Sequence, residues 1–301
     1  MFHEESYDRH IEWYNQHFPT ASDKVDYYRK TKAIPENTIS VWLQNIFFHC
    51  LDPLLSIPTQ HWLTVGDAYG FDAQYILSKG NSSLATDLNT DFLSVAKEEG
   101  IVKEYAAENA EHLSFNDNSF DYVLCKESYH HFPRPYAALY EMIRVAKKGI
   151  VIIEPQDPVS KMPLLLMMNN LLSGKAGLLK KVWKNRFSYE PVGNFVYKVS
   201  EREFEKFAAG LGLPMVAFKK INPNFYFKGA ENIKTNDTSR KVLAIKAKKG
   251  LLDLLSKTKL VPAQVMAAIV FKEVPEESTL QQLKADGYHL VSIPKNPYVN
   301  N

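Results

Sequence analysis

An α/β fold built on a mostly parallel, doubly covered sheet is what this chain predicts, and three observations predict it. Between Trp62 and Pro155, short apolar runs alternate repeatedly with helical patterns, the arrangement that βαβ units impose. The stretch Leu63 to Gly70 reads Leu-Thr-Val-Gly-Asp-Ala-Tyr-Gly, an apolar run broken by glycines. A second run, Ser83 to Thr86, then ends in an acid, Asp87. Run, glycine turn, helix and acid-tipped run outline a nucleoside-binding unit.

The elements follow in order. Residues 1–60 precede the first core strand and read as a helical N-terminal cap. Its first segment is rich in aromatics, with Tyr7, Ile11, Trp13, Tyr14 and Phe18, and a second, Thr38 to Leu51, has Ser40 as a cap and Val41, Leu43, Ile46 and Phe47 on its apolar face. Tyr27, Tyr28 and Arg29 lie in an otherwise polar stretch, where ordinary packing is the first reading and contact with a ligand the second. Trp62 to Val65 is the first strand, and Gly66 and Gly70 give the following turn freedom to approach a ligand. Asp72 to Lys79 reads as a helix, with Ala73, Ile76 and Leu77 on one face and Gly80 at its end. Asp87, at the carboxyl end of the next strand, is placed to accept both hydrogen bonds of a ribose diol.

Thr90 to Glu99 is the next helix, closed by Gly100, and Glu104 to Ala107 the third strand, which delivers Glu108, Asn109 and Ala110 to the same edge. A polar turn, His112 to Asp121, leads to the buried run Tyr122 to Cys125. Lys126-Glu127-Ser128-Tyr129-His130-His131-Phe132-Pro133 follows, then a helix from Pro135 to Val145 and a fifth strand, Ile150 to Ile153, closed by Glu154-Pro155. From Asp157 to Tyr197 the pattern breaks. Met162 to Leu172 is strongly apolar, and Lys175 to Arg186 sets lysines around Leu178, Leu179, Val182 and Trp183. The first reading of this insertion is a lid or homodimer contact with solvated lysines. The second is a peripheral membrane contact through 162–186. Ser200 and Glu203 form a capping box for a helix burying Phe204, Phe207, Ala208 and Leu211. Met215 to Ile221 is strand six. A helix from Asp237 or Thr238 to Lys257 is preferred over a strand at Lys241 to Lys248, because Val261 to Phe271 offers a better last strand, antiparallel to strand six. Beyond Pro275, a small helix and a short strand, His289 to Ile293, read as an appendage.

Which nucleoside the turn accepts follows from its spacing. A dinucleotide turn wants glycines where this chain has Gly66, Ala68 and Phe71, and the pattern fails. The alternative spacing gives Gly66, Ala68 and Gly70, and Asp67 within the turn would repel a phosphate. A cationic cofactor without phosphates fits better.

On these residues the chain resembles the class I S-adenosylmethionine-dependent methyltransferases, over Trp62 to Glu154 most clearly. The resemblance implies a Rossmann-like seven-stranded methyltransferase sheet with helices on both faces, and S-adenosyl-L-methionine as cofactor, leaving as S-adenosyl-L-homocysteine. It assigns cofactor contacts to Gly66, Asp67, Ala68, Gly70, Asp87, Leu88, Asn109, Ala110 and Lys126. Asn109 and the Ala110 N–H fall to the adenine, and Lys126 either pairs with the cofactor's carboxylate or is a surface lysine. Two positions depart from the family: Thr64 stands where an acid often ends strand one, and Ala68 replaces the middle glycine. The His130-His131 segment resembles that of sugar O-methyltransferases, where a histidine pair and an acid after strand five serve the acceptor. That implies His130, His131 and Glu154 as catalytic groups, with one imidazole, of ordinary pKa about 6.5, as the base for a hydroxyl acceptor. Glu127 and Asp157 are near the same rim, and the segment's other reading is purely structural, opening the helix.

The expected activity is therefore O-methylation of a hydroxyl on a sugar or polysaccharide precursor. The alternatives are N- or C-methylation of another small metabolite, or a catalytically inactive methyltransferase-fold binding protein. The organisation expected is an N-terminal cap (1–60), a methyltransferase domain (61–274) with an inserted lid (157–199), and a C-terminal appendage (275–301). A chain of 301 residues can bury a substantial core. A net charge of +2 gives no reason to expect nucleic acid. Two cysteines, Cys50 and Cys125, form neither a framework nor a metal pattern, so buried reduced thiols and no metal are expected. The start lacks a secretory pattern, and no run reaches a membrane span, so a cytoplasmic location is expected.

Overall fold

The computed structural model describes residues 2–157, 162–172, 188–189 and 195–298. Helices α1 (Phe2–His17), α2 (Ala21–Lys32), α3 (Ile39–Phe48) and α4 (Asp52–Leu55) come first. The alternating part runs β1 (His61–Val65), α5 (Phe71–Ser78), β2 (Ser82–Asp87), α6 (Asp91–Glu98), β3 (Glu104–Ala107), β4 (Phe120–Lys126), α7 (Pro135–Val145) and β5 (Ala146–Pro155). Then come α8 (Pro163–Leu171), α9 (Glu201–Gly210), β6 (Met215–Ile221), α10 (Arg240–Lys257), β7 (Val265–Phe271), α11 (Glu277–Ala285) and β8 (His289–Ser292).

The strands form one Rossmann-like sheet in the order β3-β2-β1-β4-β5-β7-β6-β8. The strands β1 to β5 pair in parallel, and β7 lies antiparallel between β5 and β6. The expected count of seven strands is corrected to eight: β8 pairs antiparallel with β6, Met215 facing Ser292 and Phe218 facing His289. The tail thus extends the sheet at the edge that β6 would otherwise expose.

Alternation along each strand divides the interior in two. On one face Leu63, Val65, Val123, Cys125, Ile150 and Ile152 pack against Ala138, Leu139 and Met142 of α7 and Phe204 and Ala208 of α9. On the other, Trp62, Tyr122, Leu124, Val151 and Ile153 meet Ile76 of α5, Leu283 of α11, and Phe47, Leu51 and Leu54 from the α3–α4 region. Each large side chain so buried contributes about 1.5–3 kcal/mol. The N-terminal helices therefore share the core of the sheet. A third cluster joins Tyr14 and Tyr28 of α1 and α2 to Phe92, Leu93 and Ala96 of α6.

Several elements extend the predicted ones. Strand β5 begins at Ala146, four residues before the apolar run, because its Lys147 and Lys148 end still pairs within the sheet. Helix α2 forms in the polar stretch, started by a Thr20/Asp23 capping box and anchored by fully buried Tyr28. The Ser200/Glu203 box is present before α9. Leu211, expected on that helix's buried face, is exposed, because the helix has ended at Gly210. Helix α10 prevails over the alternating strand pattern, with Val242 and Ser256 buried. Of the 157–199 insertion, α8 is described, whereas the Lys175 to Arg186 stretch lies outside the described residues. Cys50 and Cys125 are buried free thiols, and no described helix is long and apolar enough to cross a membrane.

Candidate functional site

The strand order reverses at β1, with β2 on one side and β4 on the other, and such a switch point opens a crevice at the carboxyl ends of the strands. A cavity of about 980 Å³ lies there, at the upper end of the ~300–1,000 Å³ usual for small-molecule sites. It has room for two reactants.

The turn after β1 makes the floor. Gly66 and Gly70 have φ of 71° and 75°, a region side chains rarely adopt. A Cβ on Gly66 would stand 2.5 Å from Ser128 Cβ, and one on Gly70 2.5 Å from Val102 Cγ1. Ser128 Oγ donates to the Gly66 carbonyl at 2.6 Å, tying the turn after β4 to the turn after β1.

Asp67 lines the cavity but its carboxylate is committed inward. It accepts from Thr64 Oγ1 at 3.0 Å, from Ala73 N at 2.9 Å and from Asp72 N at 3.3 Å. An acid inside the turn, bonded to Thr64, thus holds the start of α5. Burial and the neighbouring Asp72 carboxylate raise its pKa well above the usual carboxylate range. Lys126 is not a surface lysine: it is buried, pairs with Asp72 at 3.1 Å, and lies 5.4 Å from the Phe48 ring centre. Burial lowers this ammonium's pKa, but Asp72 and Glu127 outweigh it and hold it above its usual value.

Asp87 ends β2 at the cavity wall beside Leu88. Burial pushes its carboxyl up to about 6, against the Asn89 N–H, which donates at 2.9 Å, and the nearby His131 ring. Asn109 and Ala110 also line the cavity. The Asn109 side-chain carbonyl accepts from Glu111 N at 2.9 Å and from the Tyr7 hydroxyl at 3.5 Å. Beside it, buried Glu111 accepts from Arg134 N at 2.7 Å and Nε at 2.5 Å.

The two histidines part company. His130 is buried, and its Nδ1 meets the Glu154 carboxylate. Glu154, fully buried, also accepts from Ser128 N and Tyr129 N, each at 2.8 Å. His131 lines the cavity, its ring centre 4.2 Å from that of His130 and 5.7 Å from that of His10. Glu154 and His130 therefore form a brace behind His131 rather than a surface facing the cavity. Glu127 does face it, with a φ of 51° and a carboxyl raised by burial. Asp157 instead leaves the sheet at the end of β5, its N–H bonded to Val199 O.

Much of the wall lies beyond the residues the sequence marks, Tyr27 excepted, whose second reading is contact with a ligand. Tyr7, His10 and Tyr14 of α1 and Tyr27 of α2 line the cavity, with Tyr69 and Phe71 from the glycine turn and Tyr226 from the segment after β6. The spacing of Tyr7, His10 and Tyr14 is one helical face, a signal present in the sequence. What it faces depends on the fold. Acids around the wall, Asp87, Glu108, Glu111 and Glu127, outnumber the bases Lys32 and Lys126. That donor set suits a cationic group and disfavours phosphates.

Over part of its length the chain is similar to known proteins. The family described as "Methyltransferase domain" matches residues 63–153. A demethylmenaquinone methyltransferase of Renibacterium salmoninarum is 31% identical over 110 residues, 36% of this chain and 46% of that protein. The chain thus spans about half the length of the curated relative it matches. Among solved structures, the YcgJ protein of Bacillus subtilis is 18% identical with a TM-score of 0.46, over 75% of this chain and 99% of that one. A SAM-dependent methyltransferase from Archaeoglobus fulgidus is 16% identical with a TM-score of 0.44, over 87% and 99%. It is across residues 63–153, the stretch that holds the glycine turn, Asp87, the Asn109 turn and both histidines, that the chain matches the methyltransferase domain family.

Proposed function

We propose that this chain is an S-adenosylmethionine-dependent methyltransferase acting on a hydroxyl acceptor, a sugar or polysaccharide precursor. The observation that carries the reading is the acid-lined cavity at the switch point, with Asp87 beside the glycine turn and His131 in the same wall. The residues present fit the cofactor: Gly66 and Gly70 leave backbone where a Cβ would clash, Asp87 suits a ribose diol, and the acids suit a sulfonium. When bound, the cofactor supplies an activated methyl group on positively charged sulfur. Asp87 and the glycine turn hold the nucleoside end, and Asn109 and Ala110 border the adenine.

His131 would take the proton of the acceptor hydroxyl, whose oxygen would gain the methyl group as its bond to the cofactor's sulfur breaks. His130 and Glu154 fix the segment that carries it. The cap helices, through Tyr7, His10 and Tyr14, exclude water from the reacting centre.

A second reading, methylation at carbon of a flat ring, is favoured by the relative named for demethylmenaquinone and by the aromatic wall of Tyr14, Tyr27, Tyr69 and Phe71.

Calorimetry with S-adenosylmethionine and S-adenosylhomocysteine tests the cofactor: absence of binding at millimolar ligand removes the enzyme reading. His131→Ala is expected to leave cofactor affinity within a few fold and to reduce turnover on a hydroxyl acceptor by about 10²–10⁴. Unchanged turnover rejects the base. Magnetic resonance of a ¹³C-methylated product separates oxygen from carbon.

A further inference from the structure

Helix α10 turns an apolar face to solvent. Leu243, Leu251 and Leu254 are 52%, 58% and 58% exposed, and Leu260, just beyond the helix, is 67% exposed. At 3.6 residues per turn, the three helical leucines fall opposite Val242 and Ser256, the two residues the helix buries. Lysines border this stripe on both sides, Lys241 and Lys248 along one flank, Lys246 and Lys257 along the other; Lys241 lies over the Phe227 ring at 3.6 Å and Lys246 Nζ donates to Thr235 O at 2.5 Å, so Lys248 and Lys257 are the outward cations of the two flanks. The one acid of the helix, Asp253, is used up locally, accepting from Asn222 Nδ2 at 2.8 Å and Lys249 Nζ at 2.6 Å.

We infer that α10 docks the protein on an anionic lipid bilayer, lying in the plane of the interface with its leucines among the acyl chains and its flanking lysines on the headgroups. The pattern of an apolar stripe between two cationic rows is what such a surface recognises: leucines gain by burial while lysines snorkel to phosphates. The whole chain carries a net charge of only +2, so the cations of α10 are a local concentration. A second copy of the chain is a poorer occupant, because apposing two such faces would bring lysine rows together.

Docking here bears on the site. Val242 packs on Ile39 and Leu43 of α3, and the neighbouring α3 residues Ser40, Val41 and Gln44 line the cavity. Helix α10 thus meets, through Val242, the small cluster that also holds the helix carrying this part of the cavity wall.

The test is sedimentation of the full chain with phosphatidylcholine vesicles and with vesicles one-quarter phosphatidylglycerol. Binding is expected to be at least about tenfold tighter on the anionic vesicles and to fall steeply with salt. Leu251→Glu with Leu254→Glu, and separately Lys248→Glu with Lys257→Glu, are expected to abolish the difference while leaving the thermal unfolding and S-adenosylhomocysteine affinity of the wild type. No preference for anionic vesicles in the wild type overturns the proposal. So does undiminished binding by the leucine variant, or a wild-type dimer that this variant dissociates with no vesicle binding by either. Failure of the methyltransferase reading is read separately, as lack of cofactor binding by protein that still sediments with vesicles.

Discussion

Asp87 stands between a burial that disfavours its charge and a role that requires it. In the free protein its carboxyl titrates at about 6, and a ribose diol needs the ionised form as acceptor. Affinity for S-adenosylhomocysteine is therefore expected to strengthen as pH rises through about 6 and then to level off, since binding to the ionised form competes with the proton. Asp87→Asn is expected to cost about 10–100-fold in affinity, the worth of a hydrogen bond to a charged group, and to flatten that profile. Calorimetry across pH checks both. The same shift has a consequence for stability: a carboxyl raised by folding favours the folded state at low pH, and that contribution fades as pH rises from the unfolded value to about 6. Glu154 is a different case. Replacing it with alanine leaves Ser128 N, Tyr129 N and His130 without their acceptor, at a cost of about 1–3 kcal/mol for each buried group left unsatisfied. Denaturant unfolding of Glu154→Ala is expected to show a loss larger than for His130→Ala.

At the scale of elements, one helix start was legible from local side chains, while the Thr20/Asp23 box of α2 was not found and Ser40, expected as a cap, lies inside α3, which Thr38 precedes. The Ser200/Glu203 box starts α9 as its spacing predicts, and Ser200→Ala is expected to lower stability by about 1 kcal/mol, visible as a lower melting temperature. The alternating unit was readable because strands buried on both faces, such as β1 and β4, are continuous apolar runs, while half-exposed β3 and helix α7 span the predicted residues. Helix α2 was not legible, because its hold on the fold is made with distant α6 and the glycine turn: Lys24 pairs with Asp91, Lys32 with Glu99, and Tyr28 is fully buried. Tyr28 donates to Tyr69 O at 2.8 Å or Phe92 O at 3.1 Å, contacts made far along the chain. The distinct places of His130 and His131 were equally hidden. Adjacent residues of one type differ only by which one the turn points at Glu154, and that is set by Ser128 and Tyr129 lending their N–H groups to the same carboxylate. The edge strand β8 shows the limit from the other side, since its short run gained a place only by pairing with β6.

For the whole molecule, the charge of the cavity sets its choice of ligand. Adenosine compounds sharing one nucleoside but differing in charge should separate: S-adenosylhomocysteine is expected to displace ATP readily, with ATP at least about 100-fold weaker because its phosphates meet a wall that carries Asp87, Glu108 and Glu127. A hundredfold excess of S-adenosylhomocysteine over its dissociation constant is expected to stabilise the fold by about 2.7 kcal/mol, which thermal unfolding would register. One bond gives these parts a common fate. Because Ser128 Oγ holds the Gly66 carbonyl while Ser128 N is held by Glu154, the backbone that cradles the nucleoside and the segment that aims His131 move as one piece. Two ligands that touch opposite ends of such a piece influence each other: whichever binds first settles the piece, and the second finds it already in place, so the two reactants should bind with positive cooperativity that Ser128→Ala would weaken.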